Sequence, residues 1–164
     1  MNTTDHQLLS AIAHALTDHM ATENDALNFA DLTTGEVTFI QEEHMFENDE
    51  ITEEEINDYQ DWEQDQIRTY LHHDLIEIEP IPSHESFRLM EAFADSRNEQ
   101  EQTHLYKALN RRGPFACFRY AVEDLGILQQ WYDFKNEAEA RQAQEWLAEN
   151  HLVIKDGKIT RNSE

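Results

Sequence analysis

The sequence predicts an α+β fold, a mainly helical single domain with an N-terminal β-hairpin and a short C-terminal hairpin. Two observations support this prediction. Apolar residues alternate with polar ones in short segments near both ends of the chain, whereas they recur every three or four residues through most of its second half. With 164 residues, of which 39% are hydrophobic and 10% aromatic, the chain can bury a sizeable core. We therefore expect one domain over residues 1–164.

The N-terminal elements are a helix and a hairpin. Apolar residues at helical spacing over residues 8–20, ending in Met20, predict the helix, with Thr4 or Asp5 as its N-cap. A hairpin is predicted over residues 27–39, because Gly35 supplies a turn between two alternating segments. The alternating apolar residues are Leu27, Phe29, Val37 and Phe39.

The middle of the chain is polar and acidic. Residues 42–58 show no apolar face, and we expect this segment to be mobile. An aromatic stripe then predicts a helix, and the alternating segment "LIEIEPIP" predicts a short strand that Pro80 and Pro82 end or confine to a sheet edge. The stripe consists of Tyr59, Trp62, Gln66, Ile67 and Tyr70.

Four helices are predicted between residues 83 and 150. Gly113 separates the second from the third, and Pro114 suits the first turn of the third. The stripe of that third helix starts at Phe115 and ends before Gly126. The last helix is the longest, and Asp156-Gly157 then marks the turn of the C-terminal hairpin.

The charge and cysteine content restrict the compartment and the partners. The chain has 35 acidic and 12 basic residues, a formal net charge of -23, so it should repel nucleic acid. No apolar run is long enough to cross a membrane, and the first residues lack the features of a secretory signal. The lone Cys117 suits a reducing compartment and is expected to be a small apolar filler. We expect a cytoplasmic protein; the oligomeric state is not predicted.

The acidic residues are unevenly distributed. Arg68 is the only Lys or Arg before Arg88, and carboxylates crowd residues 42–79. Three explanations stay open: a solubilising surface, adaptation to a salt-rich cytoplasm, and a face that binds a basic partner. Our preferred hypothesis is the third, a non-enzymatic binding or regulatory protein that engages a basic protein. The expected contact residues are Glu53, Glu54, Glu55, Asp58, Asp61 and, as an exposed aromatic on the last helix, Tyr132.

A basic stretch, "LNRRGPFACFRY", supports the alternative hypothesis. Arg111 and Arg112 precede the Gly-Pro helix start and Arg119 follows on the next helix, so the three guanidinium groups could bind an anionic small molecule or substrate. The competing interpretation, which we favour, is a helix junction. In it, the aromatic residues are core and the arginines pair with the acidic middle of the chain.

The histidines do not form a recognisable metal motif. His72, His73 and Asp74 are consecutive and cannot face one point on a regular element, and His14 and His19 are five residues apart instead of four. The sequence has no H-E-x-x-H, paired-cysteine or calcium-loop pattern, and no recognisable nucleophile motif. We therefore predict no metal, no cofactor and no catalytic residue.

Several segments in order resemble a known family. They are "LNFADLTTGEVTF", "IPSHESFRLMEAF", "LYKALNRRGPFACFRYAVEDLGILQQWYDF" and "AQEWLAEN", and together they cover most of the chain. This set resembles the bacterial uncharacterised protein family 0158. The family has no established activity, so the resemblance implies a bacterial cytoplasmic protein and no particular reaction.

Overall fold

The structure is a computed structural model that describes residues 2–18 and 24–163. Contacts within the chain group it into two compact units. The first unit comprises Met1–Pro80 with Gln142–Glu164, and the second comprises Ile81–Arg141. The α+β class, the helical majority and both hairpins are confirmed, while the expectation of one domain over residues 1–164 stays a prediction.

Helix α1, Thr3–Leu16, opens the first unit and buries one apolar face. Its N-cap is Asn2, not the predicted Thr4 or Asp5, and the Asn2 side chain accepts a hydrogen bond from the Asp5 N–H at 2.8 Å. The Asp5 carboxylate is buried instead and accepts from the Gly157 N–H at 2.8 Å. A contact 152 residues away therefore occupies the side chain that local sequence offered as a cap. Met20 and His19 lie outside the described residues.

A three-stranded antiparallel sheet follows. Its strands are β1, Ala26–Asp31; β2, Glu36–Gln41; and β3, Leu75–Ile78, in the order β2-β1-β3. The edge position of β3 agrees with the prolines that follow it. Phe39 was expected on an inward-facing alternation but is 42% exposed, because the face of β2 that contacts the core carries its neighbour Ile40.

The acidic segment contains defined elements. A 3₁₀ turn, Glu42–His44, is followed by the short helix α2, Glu53–Asn57, and by helix α3, Asp61–His72. Ile56 anchors α2 and Ile67 anchors α3, both fully buried. Trp62, predicted to belong to the aromatic stripe, is 50% exposed because it lies in the first turn of α3, away from Ile67. Mobility of residues 42–58 stays a prediction.

The C-terminal hairpin completes the first unit. Strands β4, Leu152–Lys155, and β5, Lys158–Arg161, pair around Asp156-Gly157 as predicted. The Ile159 N–H donates to the carbonyl oxygen of Gly35 at 2.8 Å, which joins this hairpin to the turn of the first one.

The second unit is helical. It contains α4, Ser83–Asp95; α5, Glu99–Leu109; α6, Pro114–Asp124; and the N-terminal part of α7, Leu128–Glu149. Phe93, Phe118 and Trp131 form its aromatic centre, with ring centroids 5.0 to 6.3 Å apart. Gly113, at φ 68°, and Pro114 separate α5 from α6 as predicted. Phe115 was expected in the buried stripe but is 45% exposed, because it precedes the part of α6 that reaches the core.

Candidate functional site

The three predicted anion-binding arginines are exposed and lie in different surroundings within the second unit. Arg119 pairs with Glu123 of its own helix, with Nε 3.4 Å from the carboxylate, not with the acidic middle of the chain. A spacing of four residues on one helix makes this local pair favourable. Arg112 lies at the helix junction, where its carbonyl oxygen is 3.6 Å from the Cys117 sulfur. Arg111 lines a cavity.

This cavity, which we call the basic cavity, has a volume of about 200 Å³ and lies between α5 and α6. Three of its lining residues, His104, Lys107 and Arg111, are basic, and one, Asp124, is acidic. His104 and Lys107 were not among the predicted site residues, although their spacings of three and four residues, in a stretch predicted as one helix, would have grouped them with Arg111. In the structure Arg111 lies just beyond the C-cap of α5. The full lining is His104, Lys107, Ala108, Arg111, Cys117, Tyr120, Ala121 and Asp124.

The predicted acidic residues lie on or beside α2 and at the start of α3, in the first unit, and all five are exposed. Glu53 binds the guanidinium of Arg68, with Nη1 at 2.8 and 3.0 Å from its two carboxylate oxygens. Glu55 completes a capping box with Thr52. Within the described residues, Glu54, Asp58 and Asp61 have no ion pair.

Trp62 adds an aromatic group directly after Asp61 in the first turn of α3. Its indole Nε1–H donates to the Gln60 side chain at 2.9 Å, and half of the side chain is exposed. We define the acidic surface as Glu53, Glu54, Glu55, Asp58, Asp61 and Trp62. Trp62 was not among the predicted contact residues, because its helical spacing placed it in the aromatic stripe.

Tyr132 does not have the exposure that was expected of it. It is half-buried and packs against the hydrophobic core of the second unit, whereas the predicted acidic contacts belong to the first unit. Its neighbour Trp131 is buried in that core, and the aromatic cluster is wide enough to cover part of the next position as well.

A partly buried histidine–carboxylate pair links the turn of the first hairpin to the residues before β3. His73 Nδ1 lies 2.6 Å from Oδ2 of Asp31, which is 2% exposed. The other oxygen of Asp31 accepts from the backbone N–H groups of Thr33 and Thr34. Asp31 thus accepts hydrogen bonds from the backbone of the hairpin turn and holds His73 two residues before β3. This arrangement is structural and needs no ligand.

These features define a mainly helical α+β protein with an acidic surface on one unit and a basic cavity on the other. The chain belongs to an uncharacterised protein family, UPF0158, whose model matches residues 6–157. It is 32% identical over 83 residues to a protein of Pseudomonas aeruginosa that carries the same family name. That match covers 48% of this chain and 52% of the relative. No solved structure matches the chain.

The family membership predicted from the ordered motifs is therefore confirmed. The family description and the relative's name give no activity, ligand or partner. None of the helices in the described part of the chain combines the length and apolar character needed to cross a bilayer.

Proposed function

We propose that this protein is a non-enzymatic cytoplasmic binding protein whose acidic surface engages a basic segment of a partner protein. The observation that carries the proposal is a half-exposed indole, Trp62, which follows the exposed Asp61 in the first turn of α3, in the unit that also carries the exposed carboxylates of α2. Indole faces attract Lys and Arg side chains, and tryptophan is enriched among residues that dominate binding energy. Carboxylates beside it add charge-assisted hydrogen bonds.

The acidic surface already binds one guanidinium. Arg68 places Nη1 between both oxygens of Glu53, and Nη2 lies 3.4 Å from the Asn57 side-chain oxygen. An arginine of a partner would meet similar chemistry at Asp58 and Asp61. The net charge of -23 would also accelerate encounter with a positively charged protein at low salt.

The test is capture from nuclease-treated bacterial lysate, followed by measured binding of the captured protein to purified variants. Trp62→Ala should weaken binding about tenfold or more, as expected for a central anchor. Asp58→Asn/Asp61→Asn should weaken it and reduce its salt dependence. The charge-matched control is Glu145→Gln/Glu149→Gln, which neutralises two exposed carboxylates elsewhere on the first unit.

Three outcomes would contradict the proposal. They are the absence of a retained basic protein, equal binding by the acidic-surface and control variants, and binding that does not weaken as salt is raised.

The basic cavity supports a second candidate function, the binding of a small anion. The supporting observation is the convergence of His104, Lys107 and Arg111 on one volume. Pyrophosphate should then raise the melting temperature of the wild type but not of Lys107→Gln/Arg111→Gln. Arg112→Gln is the control, because Arg112 is exposed and outside the lining. Equal responses of all three proteins would contradict this function.

A further inference from the structure

The 3₁₀ turn Glu42–His44 packs beside helix α3 in the first unit and buries an imidazole. His44 is 1% exposed, and its ring lies edge-on to Tyr59 and Trp62, with centroids 6.1 and 5.5 Å away. A polar ring this deeply buried needs partners for both nitrogens. Both nitrogens do face polar side chains, and the identity of those atoms decides where the imidazole carries its proton.

The hydrogen-bond network assigns the proton of neutral His44 to Nδ1. The side-chain oxygen of Gln66 accepts from the Gln41 backbone N–H at 3.1 Å, and a backbone N–H can only donate. The Gln66 atom is therefore the oxygen, and His44 Nδ1, 2.7 Å away, must donate to it. Neutral imidazole has one proton, so Nε2 then carries a lone pair and no hydrogen.

That lone pair faces two carboxylates. Nε2 lies 3.1 Å from Oε2 of Glu63 and 3.7 Å from Oε1 of Glu43. Three acceptor atoms within 4.8 Å of one another repel each other unless a positive species lies among them. An added proton on Nε2 would satisfy Glu63, but a distance of 3.7 Å is too long for a hydrogen bond to Glu43.

A metal ion accounts for all three atoms. Zinc bonds to His nitrogen and Glu oxygen at about 2.0–2.2 Å, so two ligands on a tetrahedral ion are roughly 3.4 Å apart. The two separations from Nε2 lie on either side of this value. The ligand atoms of Glu43, His44 and Glu63 all lie within 4.8 Å of one another.

The surroundings have the features of a built metal site. The Nδ1–H bond to Gln66 is the outer hydrogen bond that orients metal-ligating histidines. The second oxygen of Glu63 accepts from the Gln60 N–H at 3.3 Å, which fixes the carboxylate. Glu43 is 70% exposed, so one side of the site opens to solvent and leaves room for water as a further ligand.

We propose that Glu43, His44 and Glu63 bind one divalent transition-metal ion of the zinc type. The imidazole favours such ions over Mg²⁺ and Ca²⁺, which prefer oxygen alone. No metal was predicted from the sequence, because Glu63 is 19 residues from His44 and completes no linear motif. None of the ligands belongs to the acidic surface, but Trp62 of that surface lies edge-on to His44, so the metal site is tested at Glu43 and not at Trp62.

The test is titration of the full-length chain with Zn²⁺ and Co²⁺ in excess Mg²⁺, with Cys117 blocked by iodoacetamide. Excess Mg²⁺ saturates weak sites among the many carboxylates, so specific binding should appear as one ion per chain. Glu43→Gln should lower the affinity by about tenfold or more. Because Glu43 is largely exposed, this variant should fold normally.

The matched control is Glu42→Gln, an exposed carboxylate in the same turn that is outside the ligand set. It should bind Zn²⁺ like the wild type, and Co²⁺ bound to the wild type should show a visible absorption spectrum that Glu43→Gln weakens. The proposal is overturned if the wild type shows no saturable binding in Mg²⁺. Equal affinities for Glu42→Gln and Glu43→Gln would overturn it as well.

Discussion

Tyr106 and Asp95 connect a single hydrogen bond to the pH dependence of stability. The Tyr106 hydroxyl donates to the Asp95 carboxylate. This hydrogen bond, with burial and the negative charges of Asp95 and Glu91, raises the pKa of Tyr106 to about 12. The unfolded chain releases the same proton near pH 10. The folded state therefore holds the proton more tightly, and this contribution to stability is complete below about pH 10 and is lost as the pH rises toward 12.

Tyr106→Phe should lower the free energy of unfolding at neutral pH by at most about 1 kcal/mol, because it removes one partly exposed hydrogen bond. It should also remove the part of the decrease in the free energy of unfolding at alkaline pH that comes from ionisation of Tyr106. Urea unfolding at neutral and alkaline pH measures both effects. Tyr120→Phe, at a side chain 65% exposed, is the control. An unchanged alkaline profile in Tyr106→Phe would contradict the prediction.

Glu77 on β3 destabilises the protein at neutral pH, whereas the hydrogen bond of Tyr106 stabilises it. Burial, followed by the hydrogen bond and the negative charge of Glu79, raises the pKa of Glu77 above its usual 4.5. A carboxyl group with a raised folded pKa stabilises the protein below the unfolded value. That contribution is lost as the pH rises through the folded value.

Glu77→Gln should therefore stabilise the protein at neutral pH, by up to about 1 kcal/mol because the group is partly screened by solvent. The gain should disappear as the pH falls below 4.5. Chemical unfolding at the two pH values measures it, and Glu36→Gln, at an exposed strand position, serves as the control. A variant less stable than the wild type at neutral pH would contradict the assignment.

The two hairpins of the first unit meet at Gly35. Its φ of +84° favours glycine, and a Cβ placed there would lie 2.5 Å from the Lys158 Cβ and 3.0 Å from its Cα. Those atoms belong to strand β5 and cannot move aside as a side-chain end would. The turn of one hairpin is thus closed against the backbone of the other.

Gly35→Ala should destabilise the protein by roughly 2–4 kcal/mol, since left-handed strain and a steric clash add. Gly126→Ala measures the left-handed strain without the steric clash. Gly126 has φ +70° but no atom within 4 Å of its added Cβ, so about 1–2 kcal/mol is expected. Thermal unfolding of both variants measures the difference, and equal losses would show that the hairpins do not contact at this turn.

Helices, strands and turns are the features that the sequence predicted best. Helical periodicity, the Gly113-Pro114 junction and the Asp156-Gly157 turn depend on residues close together in the chain. The predictions that failed concern which apolar residues of a helix or strand other elements cover. Phe39, Trp62 and Phe115 all have the expected spacing but remain 42–50% exposed, because covering them requires another element at that point.

For the whole molecule, the net charge of -23 should oppose folding through self-repulsion. The described ion pairs are mostly local or exposed and offset little of it. Added KCl should therefore raise the free energy of unfolding at neutral pH, by on the order of 1 kcal/mol. The effect should vanish near the isoelectric point of about 4.5, where the net charge is small. Urea unfolding at several salt concentrations tests this, and destabilisation by KCl at neutral pH would contradict it.

The sequence by itself determined the α+β class, the family, the acidic middle and nearly every element, because periodicity, composition and turn residues are local properties. Only the tertiary structure decided which polar groups meet. It brought His44 to Glu63, His73 to Asp31 across 42 residues, and Asp124 of α6 into the cavity that Lys107 of α5 lines. It also left Trp62 half-exposed and covered part of Tyr132, the aromatic residue that was expected to be exposed. Such contacts depend on how separate elements pack, and no local pattern in the chain encodes that packing.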